Sequence, residues 1–213
     1  MTGTGEVGVR KARAAETEVA LKEAAKRVFA RTGYLKAKIT DITTEAGRAA
    51  GSFYSHFSSK EDLLEALLAD MLAESDQRVE EPGHSPDFSD PAAVRWHVAV
   101  YVRFVRRNRA VVTALHQAGM VDERFAERLR RMLEPNVRDI ADHLRHVREA
   151  GGRLPGDPLV VASAMIAMMS EFARTWLLGD AGERLLGRTL DDEEVVDTLT
   201  DLVVHGIGGR PAV

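Results

Sequence analysis

Apolar residues recur three and four positions apart through almost the whole chain, and no stretch alternates as a half-buried strand would. The pattern therefore predicts an all-α fold of about nine helices. Leu21, Ala24, Ala25, Val28 and Phe29 form the stripe of a first helix, which starts near Glu16 and stops at Gly33. Two short segments follow, about Ile39 to Ala46 and about Ala49 to Phe57, with Gly47 between them. Ser58-Ser59-Lys60-Glu61-Asp62 carries overlapping capping-box signatures ahead of a fourth helix expected to reach about Val79. Asp90-Pro91 reads as cap and first residue of a helix to about Arg107. Asn108 can cap a further helix to Ala118, and a long one runs from about Asp122 to Ala150, kinked near Pro135. The last two helices occupy about 158–178 and 191–207. At 213 residues the chain is long enough to bury a sizeable core.

Several function classes fall away on composition. With no cysteine, disulfides, thiolate nucleophiles and Cys-ligated zinc are excluded, and a reducing cytoplasm is the expected location. The longest strongly apolar run, Leu159 to Met169, is well short of the roughly 20 residues of a membrane span, so a soluble protein without membrane association is expected. Gly3-Thr4-Gly5-Glu6-Val7-Gly8 matches the dinucleotide-binding pattern but has no preceding strand. No nucleophile elbow, zinc-protease helix or phosphate loop is present, so no catalytic residue and no cofactor is expected, and an enzyme is disfavoured.

Charge is divided unevenly. Residues 1–64 hold 11 Lys plus Arg against 8 Asp plus Glu, whereas residues 65–213 hold 18 against 25. All six lysines, Lys11, Lys22, Lys26, Lys36, Lys38 and Lys60, lie in the first sixty residues. A basic head on an acidic body suits a polyanion-binding module joined to a part that avoids polyanions.

The stretch from Ile39 to Phe57 gives that head its chemistry. Two helices too short to stand alone, joined through Gly47 and held by Ile39, Ile42, Ala46, Phe53 and Phe57, follow helix-turn-helix logic. A helix that enters the major groove needs small or hydrogen-bonding outer residues, because large apolar ones hold the backbone off the base edges. Ala49, Ala50, Gly51, Ser52 and Ser55 meet that need, while Tyr54, His56 and Lys60 carry groups that donate to phosphate.

At these residues the sequence resembles the TetR family of bacterial transcription regulators. The match runs over about residues 16 to 65: Phe29 and Gly33, Asp41-Ile42, Ala46-Gly47, Gly51-Ser52-Phe53-Tyr54, His56-Phe57 and Ser59-Lys60-Glu61-Asp62-Leu63-Leu64. The resemblance implies a homodimer that binds double-stranded operator DNA through two heads, with a helical body that dimerises and holds a small effector. Tyr54, Lys60 and His56 then look like phosphate contacts, and Ala50, Gly51, Ser52 and Ser55 like groove-facing positions. Three positions depart from the family pattern. Lys38 and Ala49 stand where hydroxyl caps are usual, so both short helices should be poorly capped, and Thr40 is a substitute contact. Arg48 replaces an apolar residue and is open to base readout, a phosphate contact or plain solvation. His56 is equally open to a structural role.

The expected layout is a mobile arm at residues 1–15, a DNA-binding domain at 16–64 and a ligand-binding and dimerisation domain at 65–213. In the body, Trp96, Tyr101, Phe104, His116, Met120, Phe125, Met165, Met169, Phe172 and Trp176 supply adaptable apolar surface for an unidentified effector. Arg103, Arg106 and Arg107 are open to an anionic ligand tail or to an exposed helix end. His143 and His146 lie three apart with no further ligand nearby in the sequence, so no metal site is expected. The helices near 158–178 and 191–207 are the expected dimer interface. An alternative from a different class is a helical ligand-binding or interaction module that lacks DNA affinity.

Overall fold

A computed structural model describes residues 3–76 and 84–206, without the side chains of residues 3–10. Over these residues the fold is all-α, with nine α-helices and two π-helical turns: α1 (Gly3–Thr32), α2 (Ile39–Glu45), α3 (Ala50–Tyr54), α4 (Lys60–Asp76), α5 (Pro91–Arg107), α6 (Arg109–Val121), α7 (Glu123–Glu149), α8 (Pro158–Phe172) and α9 (Asp192–His205). The π-helical turns are Ala173–Leu177 and Gly182–Leu186. Among the described residues, no helix is long and apolar enough to cross a membrane.

The helix starts follow local capping chemistry. Asp90 Oδ1 accepts from the Ala92 N–H at 2.9 Å, Asp157 Oδ1 from Leu159 at 2.9 Å and Asp191 Oδ1 from Glu194 at 2.7 Å. Ser59 Oγ accepts from the Asp62 N–H at 3.1 Å while the Asp62 carboxylate accepts from the Ser58 N–H at 3.2 Å, so Ser59 caps the helix and Asp62 reaches back one residue beyond it.

Three expectations need correction. Helix α1 begins at Gly3 rather than near Glu16, so the segment expected as a mobile arm is helical from Gly3 on. Asn108 closes α5 instead of opening α6: its Nδ2 donates to the Phe104 carbonyl at 3.0 Å. Helix α7 keeps its expected span, with Pro135 in its interior. The expected helix at 158–178 gives way to a π-helical turn after Phe172. Val79 and Ile207, the expected ends of α4 and α9, lie outside the described residues.

The chain forms two units. The first takes the residues up to Glu74 together with Arg109–Glu127. In it α1 packs on α2 and α6, and α2 on α3, around fully buried Leu21, Ala24, Ala25, Val28, Ile42, Phe53, Leu63, Leu64 and Leu67. The Tyr34 N–H donates to Gln117 Oε1 at 2.9 Å, tying the turn after α1 to α6. The second unit takes Ser75–Asn108 and Arg128–Val213. Its central contact is α5 along α9, with Val98, Val102, Val105, Val195, Val196 and Leu199 in the core.

Candidate nucleic-acid interface

The interface is built on the turn between α2 and α3. Gly47 has φ +62°, a left-handed conformation that other residues adopt at a cost. Backbone bonds from Ala46 N–H to Ile42 O (2.9 Å) and from Arg48 N–H to Thr43 O (2.9 Å) close α2 against this turn. Beneath it, Ile42 and Phe53 are fully buried, and the Phe53 and Phe57 rings meet at 5.6 Å. Side-chain caps are absent from both short helices, as Lys38 and Ala49 predict. Part of the deficit at α2 is met by Asp41, whose Oδ2 accepts from the Lys38 N–H at 3.0 Å.

This packing leaves one polar, small-residue surface outward. Thr40, Ala49, Ala50, Gly51, Tyr54 and Ser55 are exposed and Ser52 is half-buried. A methyl group added at Gly51 would meet no atom within 4 Å, so the backbone there is open to close approach. Ser55 Oγ donates to the Gly51 carbonyl at 3.4 Å, and Tyr54 stands 63% exposed with its ring edge against Phe53 at 5.6 Å. These residues form a continuous face.

Three sequence candidates sit differently from the rest. Lys60 turns inward: its Nζ donates to the carbonyls of Tyr34 (3.0 Å) and Ala37 (2.8 Å) and lies 4.3 Å from the Tyr34 ring centre. Burial holds its ammonium pKa below the usual range, against the opposing effect of Glu61. Arg48 reaches Glu16 on α1 at 3.0 Å, and its Nε is buried without a partner. His56 is also turned toward α1, its side chain 13% exposed and its Nδ1 4.0 Å from Glu18 Oε2. In this state both residues bridge α3 and its turn to α1.

Lys36 and Lys38 belong beside the candidates. Both are exposed and have no ion partner among the described residues, and they flank the start of α2. Two lysines in a short stretch with no acid before Asp41 are a readable signal of a phosphate-facing site. The neighbouring basic residues of α1 are neutralised: Arg27 and Arg31 pair with Glu45 at 2.8 and 3.1 Å, and Lys22 pairs with Glu18 and Asp70. Arg27 and then Arg31 hold the Glu45 carboxyl below its ordinary range.

The ten candidate effector residues divide between the units. His116, Met120 and Phe125 fall in the first, where His116 and Met120 are exposed and Phe125 is fully buried. In the second, Tyr101, Phe104, Met165, Met169 and Phe172 pack against the α5–α9 core, Phe172 stacks on Trp176 at 6.0 Å, and Trp96 contacts His97 at 4.9 Å. Burial raises the Tyr101 hydroxyl pKa, with a hydrogen bond to the Ser170 side chain acting against it. Arg106 is committed to structure, bonding Asp192 at 2.9 Å and the Leu177 carbonyl at 3.1 Å.

The expectation of no metal site rests on sequence spacing alone. His143 and His146 remain a pair without a third ligand, but folding brings His143 to His84 and His97, from the segment before α5 and from α5 itself. Sequence spacing conceals this because the three residues are 13 and 46 positions apart. Burial lowers the His97 pKa against the opposing Ala93 carbonyl, with His143 and His84 adding to the lowering.

A helical head with a tight glycine turn, an exposed small-residue helix and flanking lysines defines a helix-turn-helix DNA-binding protein. Residues 21–67 match the model of the family described as bacterial regulatory proteins, tetR family. The HTH-type transcriptional regulator TtgR of Pseudomonas putida is 31% identical over 207 residues, spanning 91% of this chain and 94% of that protein. The HTH-type transcriptional repressor BepR of Brucella suis is 27% identical across 83% of this chain and 88% of that protein. Among solved structures, the fold is similar to the transcriptional regulator FadR of Bacillus subtilis in complex with stearoyl-CoA, with TM-score 0.70, 19% identity and coverage of 89% and 98% of the two chains. The chain belongs to the TetR family of transcriptional regulators.

Proposed function

We propose that the protein is a cytoplasmic, homodimeric repressor that acts by binding rather than catalysis and leaves a palindromic operator when a small, largely apolar effector occupies its body. The observation that carries this reading is the exposed face from Ala49 to Ser55, whose lack of bulk at Gly51 permits the approach to base edges that direct readout requires. In this reading Thr40, Ala50, Gly51, Ser52 and Ser55 face the groove. Tyr54, Lys60, Lys36 and Lys38 meet phosphates, and Arg48 and His56 reach DNA only by leaving Glu16 and Glu18.

Dimerisation is supported by α8. Its residues are apolar nearly throughout, yet only Pro158 and Ala162 are buried, while Leu159 and Val160 are 41% and 66% exposed. An apolar effector is supported by Trp96, Tyr101, Phe104, Met165, Met169, Phe172 and Trp176 in the second unit, and by the stearoyl-CoA bound to the FadR relative. The division of the chain into a DNA-binding part and a ligand-binding part follows the two units, with α6 assigned to the head.

Salt-dependent binding to duplex DNA tests the reading. Each neutralised phosphate should contribute about −0.9 to the slope of log affinity against log salt. Tyr54→Ala should weaken all sequences alike, whereas Ser52→Ala should change sequence preference. A flat salt response favours the alternative, a helical ligand-binding module without DNA affinity. The uncapped starts of α2 and α3 are the observation on its side.

A further inference from the structure

Three imidazoles meet in the second unit. One ring nitrogen from each of His84, His97 and His143 lies within 4.8 Å of the other two. The ring centres are 5.2 Å apart for His84 and His97, 5.0 Å for His97 and His143, and 5.9 Å for His84 and His143. An ion bound tetrahedrally about 2.0–2.1 Å from three imidazole nitrogens places the ring centres roughly 5 Å apart, so a small inward movement of His84 completes the set.

The hydrogen bonds already fix two of the rings. His97 Nδ1 is 2.9 Å from the Ala93 carbonyl and His143 Nδ1 is 2.7 Å from the Asp139 carbonyl. A carbonyl only accepts, so both Nδ1 atoms carry a proton, and in the neutral ring Nε2 is the nitrogen that offers a lone pair. Orientation of a ligating imidazole by a backbone carbonyl at its second nitrogen is the usual outer support of a metal site. The His143 side chain is 7% exposed, and its Nε2 is buried with no hydrogen-bond partner. A buried polar atom left unpaired costs free energy, and a cation at the centre of the three rings removes that cost.

The surroundings complete the case. Phe88 stands 4.8 Å from His97 and 4.9 Å from His143, and Trp96 stands 5.2 Å from His84, giving the cluster an apolar wall. A pocket of about 250 Å³, lined by His84, Pro86, Asp139, Asp142, His143 and His146, lies beside it. We propose that His84, His97 and His143 bind one divalent transition-metal ion of the zinc class, with a fourth coordination position open to this pocket. Three neutral nitrogen ligands suit Zn²⁺, Co²⁺ or Ni²⁺, whereas Mg²⁺ and Ca²⁺ require oxygen ligands. The open position takes water. This site is independent of the DNA-binding reading.

The test uses the full chain, freed of metal with a chelator and titrated with Co²⁺ followed by Zn²⁺. One equivalent of Co²⁺ per chain should give the visible absorption of a low-coordinate nitrogen site, and Zn²⁺ should abolish it and raise Tm. His97→Asn and His143→Asn should each weaken Zn²⁺ binding at least tenfold, while His146→Gln leaves it unchanged. Because His143 is buried, His84→Ala, at the outer edge, is the deciding variant if His143→Asn does not fold. Absence of stoichiometric binding, unchanged affinity in His84→Ala and His97→Asn, or loss of binding in His146→Gln would each overturn the assignment.

Discussion

Lys60 has a structural task beside its proposed contact with phosphate. Its bonds to the Tyr34 and Ala37 carbonyls satisfy acceptors in the turn between α1 and α2. Lys60→Met should therefore lower stability by about 1–3 kcal/mol as well as weaken DNA binding, since two part-buried carbonyls lose a charged donor. Urea unfolding separates the two effects: wild-type stability in this variant would remove the inward role. Gly47→Ala should cost about 1 kcal/mol, entirely through its positive φ, because the added methyl group has no atom within 4 Å. A denaturation midpoint equal to wild type would show that the turn relaxes to another conformation. The sequence motif marks Lys60 for phosphate by its place in the capping segment. The inward bonds were not legible, because their acceptors lie 26 and 23 residues away and are set by packing. Arg48 is hidden for the same reason, as its partner Glu16 stands 32 positions earlier.

At the scale of elements, α2 is held to α1 by charge as well as by Ile42. Glu45 receives both Arg27 and Arg31, and its carboxyl stays ionised to lower pH than its ordinary value of 4.5. A carboxyl depressed in the folded state stabilises the fold above its unfolded pKa, and that contribution fades as pH falls through the folded value. Glu45→Gln should thus reduce stability at neutral pH and flatten its decline through the acid limb below about pH 4.5, measured by circular dichroism. Equal slopes in both proteins would mean that the pair contributes nothing. Caps at Asp90 and Ser59 were readable because donor and acceptor lie within three residues. Asn108 misled because the same side chain can close one helix or open the next, and the adjacency of α5 and α6 offers both.

At the scale of the molecule, helix content was legible from periodicity, while the grouping of helices was not. The sequence suggests a head confined to the first 64 residues, yet α6 joins it through the Tyr34 bond to Gln117 and the packing of α1 on α6. Such pairings are long-range and leave no local trace. The triad of His84, His97 and His143 escaped for the same reason. The proposed dimer carries its own test. Val160 is 66% exposed on an otherwise apolar helix, so Val160→Glu should place a charge in the interface and shift the protein toward monomer in analytical ultracentrifugation. Operator affinity should fall with it, because two linked heads bind far more tightly than one. A variant that sedimented like wild type would place the interface elsewhere.

The separated origin of the first unit constrains recombination. A hybrid that joins residues 1–74 to a foreign C-terminal half would leave α1 without its α6 partner and strip the Tyr34 amide of its acceptor. Exchange of operator specificity between such regulators therefore favours replacement of surface residues from Thr40 to Ser55 over transfer of the leading segment as a cassette.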